Sequence, residues 1–297
     1  MDRREFLGSA AAAGACLALG GPGKVLAKAG APDLVAVKGG EPAALFDRGV
    51  REFGGMAAFV KKGQRVLVKP NIGWNVPPER AANTNPALVA RIVEQCLAAG
   101  AREVLVFDNS CDDGPTSYRT SGIEAAARAA GAKVAPANTE AYFHPVKVPG
   151  RSLTAAKVHE LLLEADVFIN VPVLKHHSST QLTVGMKNLM GTVWDRRFWH
   201  ANDLHQCIAD FAAFRKPDLV VVDAFRVMKR YGPRSGGVGD LVELKAQLLA
   251  TDPVAADAAA ARLFGTDPGE VPYIGLAAKA GVGRTDLEAL DVRRIAL

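Results

Sequence analysis

Residues 66–109 read VLVKPNIGWNVPPERAANTNPALVARIVEQCLAAGAREVLVFDN, and this stretch decides the fold. It begins and ends with short β-branched and apolar runs, Val66–Lys69 and Glu103–Asp108, which are typical of buried strands. Between the two runs, Asn85 has the character of a helix cap, apolar residues recur at helical spacing after it, and Gly100 ends the helix. Strand, helix and strand in this order predict one crossover unit of a parallel sheet.

The same alternation continues on both sides of this unit. Two more helices are predicted, one beginning at Asn202 or Asp203 and one running from Pro253 to Phe264. Further strands are predicted at Leu34–Val37, Lys133–Pro136, Val167–Val173, Leu219–Asp223 and Ala246–Thr251. The pattern predicts an α/β fold with a mainly parallel sheet flanked by helices, in one mature domain over residues 30–297. Residues 175–202 show neither the periodicity of a helix nor the alternation of a strand, and they are interpreted as a functional loop.

Composition limits the classes of protein to which the chain can belong. Its 297 residues are 49% hydrophobic and 23% charged, which is typical of a packed globular core and excludes disordered, coiled-coil and collagen classes. A net charge of +5 is too small to predict a nucleic-acid partner. Only Cys96, Cys111 and Cys207 follow residue 29, and none forms a Cys-x-x-Cys pair. We therefore expect no iron–sulfur cluster from this chain; a divalent metal, if one is bound, would be held by His and carboxylate.

Residues 1–29 have the pattern of an export signal. Arg3 and Arg4 precede Phe6 and Leu7, and an apolar run rich in Ala and Gly leads to a small-residue cleavage site at residues 27–29. The pattern predicts a twin-arginine signal peptide, the twin-arginine translocation machinery as a partner, and a soluble protein in the periplasm or otherwise exported. The run is too short and too rich in Gly for a permanent membrane span.

Polar side chains accumulate where the predicted strands end. Lys69 ends one strand and Asn71 comes shortly after it, Asn170 interrupts another strand, and Asp223 ends a third. Ligands of parallel α/β sheets bind outside the carboxyl ends of the strands, so these side chains are candidates for a shared site. Asn170 has an equally plausible structural role, because a buried amide needs hydrogen-bond partners wherever it lies.

Segment 175–200 adds a dense set of cationic, imidazole and amide groups. These are Lys175, His176, His177, Lys187, Asn188 and His200. With Lys69 and Asn71 they predict a crevice that binds a small anion, a carboxylate or a phosphate. Arg234, in RYGPRSGG, is a further candidate ligand or part of an ordinary mobile loop. Asp257 falls on the apolar face of its helix, and we expect a Lys or His of the crevice to be its partner.

These residues are compatible with three functions. In an enzyme, His176, His177 or Lys187 would move a proton at the ligand while Asp223 or Asp257 orients it. In a non-enzymatic binder the same groups would only hold a ligand or a metal. In an interaction protein, Trp194, Phe198 and Trp199 would form an aromatic patch for a partner or for a second copy in a homo-oligomer.

The order of motifs resembles the bacterial and archaeal family named domain of unknown function 362. The motifs that carry the resemblance are VLVKPN, the Asn-Pro of ANTNPALVARIVEQCLAAGA, NVPVLKHH, GMKNLMG followed by His200, KPDLVVVDA, GPRSGG and ATDPVAADAAAARLFG. They run in order from about residue 64 to about residue 290. Several members of the family carry appended ferredoxin-like cysteine motifs, which this chain lacks.

A more distant resemblance is to the nickel-pincer lactate racemases, which share the order His, Lys, Gly, His. Here that order is His177, Lys187, Gly191 and His200. The resemblance implies Lys187 as the tether of the cofactor, His200 as a nickel ligand, and His177 or His176 as the acid and base. The glycine run before the tether is reduced to Val-Gly-Met, and the spacing to the last His differs.

Overall fold

The computed structural model describes residues 30–297, and the predicted export signal lies outside the described residues. The strands are β1 (Leu34–Lys38), β2 (Arg65–Pro70), β3 (Glu103–Val106), β4 (Lys133–Val134), β5 (Phe143–Lys147), β6 (Ala155–His159), β7 (Val167–Val171), β8 (Val173–His177), β9 (Gln181–Thr183), β10 (Leu219–Met228), β11 (Leu241–Ala250) and β12 (Val292–Ala296). The helices are α1 (Pro42–Glu52), α2 (Pro86–Ala98), α3 (Gly114–Thr120), α4 (Ile123–Ala129), α5 (Glu160–Glu164), α6 (Gly185–Asn188), α7 (Arg197–Ala201), α8 (Leu204–Phe214), α9 (Pro253–Phe264) and α10 (Pro272–Lys279).

One mixed sheet organises the described chain. Its strands lie in the order β12-β1-β11-β10-β7-β2-β3-β4, with β8 and β9 attached beside β10. The segment from β10 to β4 is parallel throughout, and antiparallel pairs join β11 to both β1 and β10. After β2 the chain builds β3 and β4 on one side, then returns to β7 on the other side. This reversal is a topological switch point, and it lies between β2 and β7.

Helices cover both faces of the sheet, because successive side chains of a strand point to opposite faces. Val66 and Val68 of β2 face one core, and Leu67 faces the other. The first core is completed by Phe46, Leu88, Ile92 and Ile123 from α1, α2 and α4. The second is completed by Ile208, Phe211, Val254, Ala258 and Ile274 from α8, α9 and α10. The prediction of an α/β fold with a mainly parallel sheet between helices is confirmed.

The predicted helix starts are also confirmed. The Asn85 side chain accepts the N–H of Ala87 at 2.9 Å at the start of α2. Asp203, the second of the two predicted starts, caps α8, and Asp252 caps α9. An Asn or Asp cap satisfies amides that have no partner inside the helix, so each residue fixes where its helix begins.

The main differences from the sequence prediction lie in the strands. The run predicted as Val167–Val173 is divided at Pro172, which has no N–H for the ladder, so β8 leaves β7 and pairs with β10 and β9. Strands β8 and β9 and helices α6 and α7 therefore occupy the segment predicted to be an irregular loop. The β5–β6 hairpin, β12 and the antiparallel pairing of β11 were not predicted.

The three aromatic residues predicted to form a patch do not form a continuous exposed surface. Trp199 is 1% exposed and packs against Phe211, with ring centroids 5.4 Å apart. Trp194 is half-buried beside Phe143, and Phe198 alone of the three is exposed. Among residues 30–297, no helix combines the length and the apolar character that crossing a bilayer requires.

Candidate functional site

A cavity of about 300 Å³ lies at the carboxyl end of β2, beside the switch point. Strand β2 contributes Lys69, β8 contributes Lys175 and His177, and α6 contributes Lys187 and Asn188. Seven of the twelve predicted site residues line it: Lys69, Asn71, Lys175, His177, Lys187, Asn188 and His200. Residues that are far apart in the sequence thus share one cavity, although β8 pairs with β10 and β9 and not with β2.

Amide side chains connect two of the buried lysines across the floor of the cavity. Asn188 Oδ1 accepts from Lys69 Nζ at 2.9 Å and from Asn71 Nδ2 at 3.0 Å. Asn71 Oδ1 in turn accepts from Lys175 Nζ at 3.0 Å, and the carbonyl of Ala82 is a second acceptor for that ammonium. This network holds both ammonium groups in fixed positions.

Asn170 lies behind the network rather than in the cavity wall. Its Oδ1 accepts from Asn188 Nδ2 at 2.8 Å, and its Nδ2 donates to the carbonyl of Gly185 at 2.8 Å. Asn170 is fully buried and is paired with Lys69 in the ladder between β7 and β2. In this structure it therefore positions α6 and Asn188.

Lys69 forms a buried ion pair with a residue outside the predicted set. Its Nζ lies 2.7 Å from Asp108 Oδ1, and both side chains are almost completely buried. Asp108 Oδ2 accepts the N–H of Ile72 at 2.6 Å, which ties the loop after β2 to the end of β3. Gly191 packs so close to the pair that a side chain there would overlap Asp108.

Lys187 has a different environment from the other two lysines. It is 9% exposed, and among residues 30–297 the acceptor that its Nζ reaches is Met190 Sδ, at 3.8 Å. A thioether is a weak acceptor, so this ammonium is buried without an oxygen partner. Burial, reinforced by Arg196 and Lys69, lowers the pKa of Lys187 to about 8.

The pKa values of Lys175 and His177 are lowered as well. Burial is the main cause that lowers the pKa of Lys175 to about 7, and Lys187 adds repulsion. Burial and the charges of Lys187 and Lys175 lower the pKa of His177 to about 2, so its imidazole is neutral at ordinary pH. The Nδ1 of His177 accepts the N–H of Ser179 at 3.1 Å, which places the ring proton on Nε2.

Asp257 lies behind the cavity wall, at the start of α6. It is fully buried, and it accepts the N–H groups of Gly185 at 2.8 Å and Met186 at 3.0 Å. The expectation of a Lys or His partner is therefore wrong, because the backbone amides at the start of α6 occupy both carboxylate oxygens. Burial raises the pKa of Asp257 to about 7.

Three other predicted residues lie outside the cavity wall. His176 points to the opposite face of β8 from Lys175 and His177, and its Nδ1 accepts the N–H of Gly232 at 3.1 Å. Asp223 accepts the N–H of Asn85 at 2.7 Å and joins β10 to the start of α2; burial raises its pKa to about 6. Arg234 is exposed and pairs with Asp112 at 2.9 Å.

The cavity wall also includes residues outside the predicted set, among them Trp74, Asp108, Cys111 and Arg196. Asp108 ends a predicted strand, which was a usable signal. Cys111 belongs to no Cys-x-x-Cys pair, so no sequence motif marks it. Arg196 donates to the carbonyl of Asn109 at 2.6 Å and reaches the cavity from the turn before α7, and no local pattern marks it.

A second, larger cavity of about 520 Å³ lies beside β4, with Asp108 common to both cavities. Its wall includes Tyr118, Val134, Pro136 and Trp194, and none of the twelve predicted site residues lines it. The predicted site residues that line a cavity therefore all line the smaller one.

The next question is which side chains of the described residues could bind a metal ion. Among residues 30–297, no group of three or more His, Cys, Asp and Glu side chains lies close enough to hold a metal ion. His200 and Lys187, the ligand and tether positions implied by the racemase resemblance, both line this cavity. A protein-only metal site with three or four ligands does not fit these residues.

Comparisons with known proteins give one family model, a curated relative and a solved structure to which the chain is similar. The family model described as Domain of unknown function (DUF362) matches residues 66–262. A curated relative, the thylakoid-associated protein sll1697 of a Synechocystis species, is 26% identical over 243 residues, which are 79% of this chain and 74% of that protein. The lactate racemase apoprotein from Thermoanaerobacterium thermosaccharolyticum is structurally similar, with a TM-score of 0.48 and 12% identity. The match covers 77% of this chain and 56% of that structure.

Proposed function

The chain belongs to the family described as Domain of unknown function (DUF362), and we propose that it binds a small anionic ligand, a carboxylate or a phosphate, in the cavity at the end of β2. Lys187 carries the proposal, because an ammonium that is buried without an oxygen partner is costly unless a ligand supplies the negative charge. The size of the cavity, about 300 Å³, favours a ligand of few atoms.

The charges around the cavity favour the same kind of ligand. Four basic side chains line it, Lys69, Lys175, Lys187 and Arg196, against the single carboxylate of Asp108. Asp108 is already paired with Lys69, so it does not neutralise the others. The amide of Asn71 and the neutral imidazole of His177 add groups that can orient the oxygens of a ligand.

The first prediction is that Lys187→Met weakens binding of sulfate or acetate about 10-fold to 150-fold, which corresponds to one charge-assisted hydrogen bond of about 1.5–3 kcal/mol. Isothermal titration of the full chain measures it. Lys133→Met is the matched control, because Lys133 is 72% exposed and pairs with Glu103 away from the cavity. Absence of saturable binding of either anion to the unaltered protein would contradict the proposal.

The second prediction concerns pH. Burial lowers the pKa of Lys175 to about 7 and that of Lys187 to about 8, so both ammonium groups lose their protons as the pH rises through this range. Sulfate affinity should therefore fall between about pH 7 and pH 9. Because a bound anion raises both pKa values, the pH at which the fall occurs is shifted upward. Sulfate is the suitable probe, since it does not titrate there. A fall centred near pH 6.5, the ordinary histidine value, would contradict the assignment to lysines.

If the protein is an enzyme, we propose that the cavity transfers a proton to or from the bound ligand. A lysine with a pKa of about 8 can accept and return a proton near neutral pH, so Lys187 suits this role better than His177. His177, neutral with its proton on Nε2, would act as a hydrogen-bond donor. The non-enzymatic alternative uses the same residues to hold the anion only.

Racemase chemistry is the second alternative, because Lys187 and His200 share the cavity. A nickel pincer, when bound, would supply the racemase chemistry at the substrate; Lys187 would be its covalent tether and His200 a ligand. That role needs a modified Lys187 side chain, whereas anion binding needs a free amine. The intact mass of the protein purified from its native host separates the two, since an unmodified chain excludes the tether.

Export to the periplasm remains part of the proposal, supported by Arg3, Arg4 and the small-residue cleavage pattern. The twin-arginine machinery is the corresponding partner. Retention in the cytoplasm of the unaltered chain, in a fractionated host with an active twin-arginine system, would contradict it.

A further inference from the structure

Three lysines line the cavity, and the hydrogen bonds of their amines distinguish them. Lys69 Nζ is engaged by Asp108 and by Asn188 Oδ1. Lys175 Nζ is engaged by Asn71 Oδ1 and by the carbonyl of Ala82. Within the described residues 30–297, the one hydrogen-bond acceptor of Lys187 Nζ is the sulfur of Met190, at 3.8 Å. Two amines are therefore fixed by oxygen acceptors, and the third is available to a ligand.

An available amine in a cationic, desolvated cavity has the features of a nucleophile. Neighbouring positive charges and removal from water both favour the neutral amine, which has the free electron pair that the ammonium lacks. Arg196 and Lys69 supply the charges, and the side chain is 9% exposed. Lys175 has the lower pKa of the two, but its amine is engaged by two oxygens and is less free to reach a carbonyl carbon.

We propose that the Lys187 amine forms an imine with a small carbonyl compound that carries a carboxylate or a phosphate. The anionic group would be held by the basic side chains of the cavity, and the carbonyl carbon would lie at Lys187 Nζ. This inference rests on the proposed anion binding and adds to it the chemical class of the ligand. A neutral carbonyl compound would lack the group that the other cations attract.

The proposed step is balanced without an oxidant or a second substrate. The nitrogen electron pair of neutral Lys187 attacks the carbonyl carbon, and the carbonyl oxygen takes up a proton to give a carbinolamine. The C–O bond then breaks, the oxygen leaves as water with the two hydrogens that the amine nitrogen carried, and a C=N bond remains. Hydrolysis reverses the same sequence and restores both the amine and the carbonyl compound.

Reductive trapping tests the proposal on the full chain. The protein is incubated with glyoxylate and sodium cyanoborohydride near pH 8, and the modified peptide is identified by mass spectrometry. We expect one reduced adduct per chain, on Lys187, with sulfate protecting against it and with propanal, a neutral aldehyde, reacting at least tenfold more slowly. Adduct on Lys69 or Lys175, or adduct scattered over exposed lysines without sulfate protection, would overturn the proposal.

Two variants separate the imine from the binding site. Lys187→Met should lose the adduct, and Lys187→Arg should lose the adduct while retaining measurable sulfate binding, because a guanidinium keeps the charge but does not form the imine. Sulfate binding by the unaltered protein without any trapped adduct would overturn the imine and leave anion binding intact. Absence of both sulfate binding and adduct would overturn both proposals. Circular dichroism of each variant establishes that the fold is retained.

Discussion

Gly191→Ala is expected to lower the free energy of unfolding by about 3–5 kcal/mol, the range for disrupting a buried ion pair, and to abolish sulfate binding. A methyl group built on Gly191 would lie 1.8 Å from Asp108 Oδ1 and 2.6 Å from Lys69 Nζ. Both atoms belong to the buried pair, which cannot move into solvent. The carbonyl of Gly191 also accepts the N–H of Asn109 at 2.9 Å, so the backbone is held against the pair and has little room to retreat.

The measurement is denaturant unfolding of the full chain, followed by sulfate titration at a temperature where both proteins are folded. Gly275→Ala is the matched control, because a methyl group there meets no atom within 4 Å and the residue lies inside α10. That change should be neutral or stabilising by up to about 1 kcal/mol, since alanine favours a helix interior. Equal stability of the Gly191→Ala protein and the unaltered protein would show that the ion pair tolerates displacement.

The part of the fold that could be predicted depends on local signals. Asn85 marks the start of α2 because a cap and its helix are adjacent in sequence, and the strands on either side are short apolar runs. Strand β12 has no such signal, and its pairing with β1 joins residues more than 250 positions apart. The pairing of β11 with both β1 and β10 is likewise decided by tertiary contacts.

The site could be predicted where it follows the ends of strands. Lys69 and Asn71 were found in this way, and the same rule applies to Asp108. The prediction places His176 in the same crevice as Lys175 and His177, because the sequence does not mark β8 as a separate strand. Side chains alternate along β8, so His176 points to the opposite face. Arg196 enters the cavity from a turn, where no periodicity exists to predict the direction of a side chain.

Asp257 shows how a correct inference of burial can lead to the wrong partner. Its position on the apolar face of α9 indicated a buried carboxylate, as the structure has it. A charged partner is expected to offset the cost of burying this carboxylate. Two backbone amides bind the carboxylate instead, because α6 is a helix of four residues whose first N–H groups have no partner inside the helix. Asp257 thereby positions the segment that carries Lys187 and Asn188.

Asp257→Ala is therefore expected to destabilise the fold by several kcal/mol, since it leaves two buried amides unpaired at about 1–3 kcal/mol each, and also to abolish sulfate binding. Asp210→Ala is the matched control: Asp210 is buried and accepts the N–H groups of Ser152 at 2.7 Å and Leu153 at 2.9 Å, away from the cavity. It should lose comparable stability and retain sulfate binding. Retention of sulfate affinity by a folded Asp257→Ala protein would show that α6 does not need this support.

The pH dependence gives a second measurement of the same change. Burial raises the pKa of Asp257 to about 7, well above the value of about 3.9 for an aspartate in an unfolded chain. The folded protein therefore binds the proton more tightly, and the stabilisation from this group is complete below about pH 4 and is lost as the pH rises through about 7. The loss of stability in Asp257→Ala should be larger at pH 5 than at pH 8. A loss that grew with pH would mean that the carboxylate is stabilised in its charged form by the two amides, and that α6 is held mainly by charge.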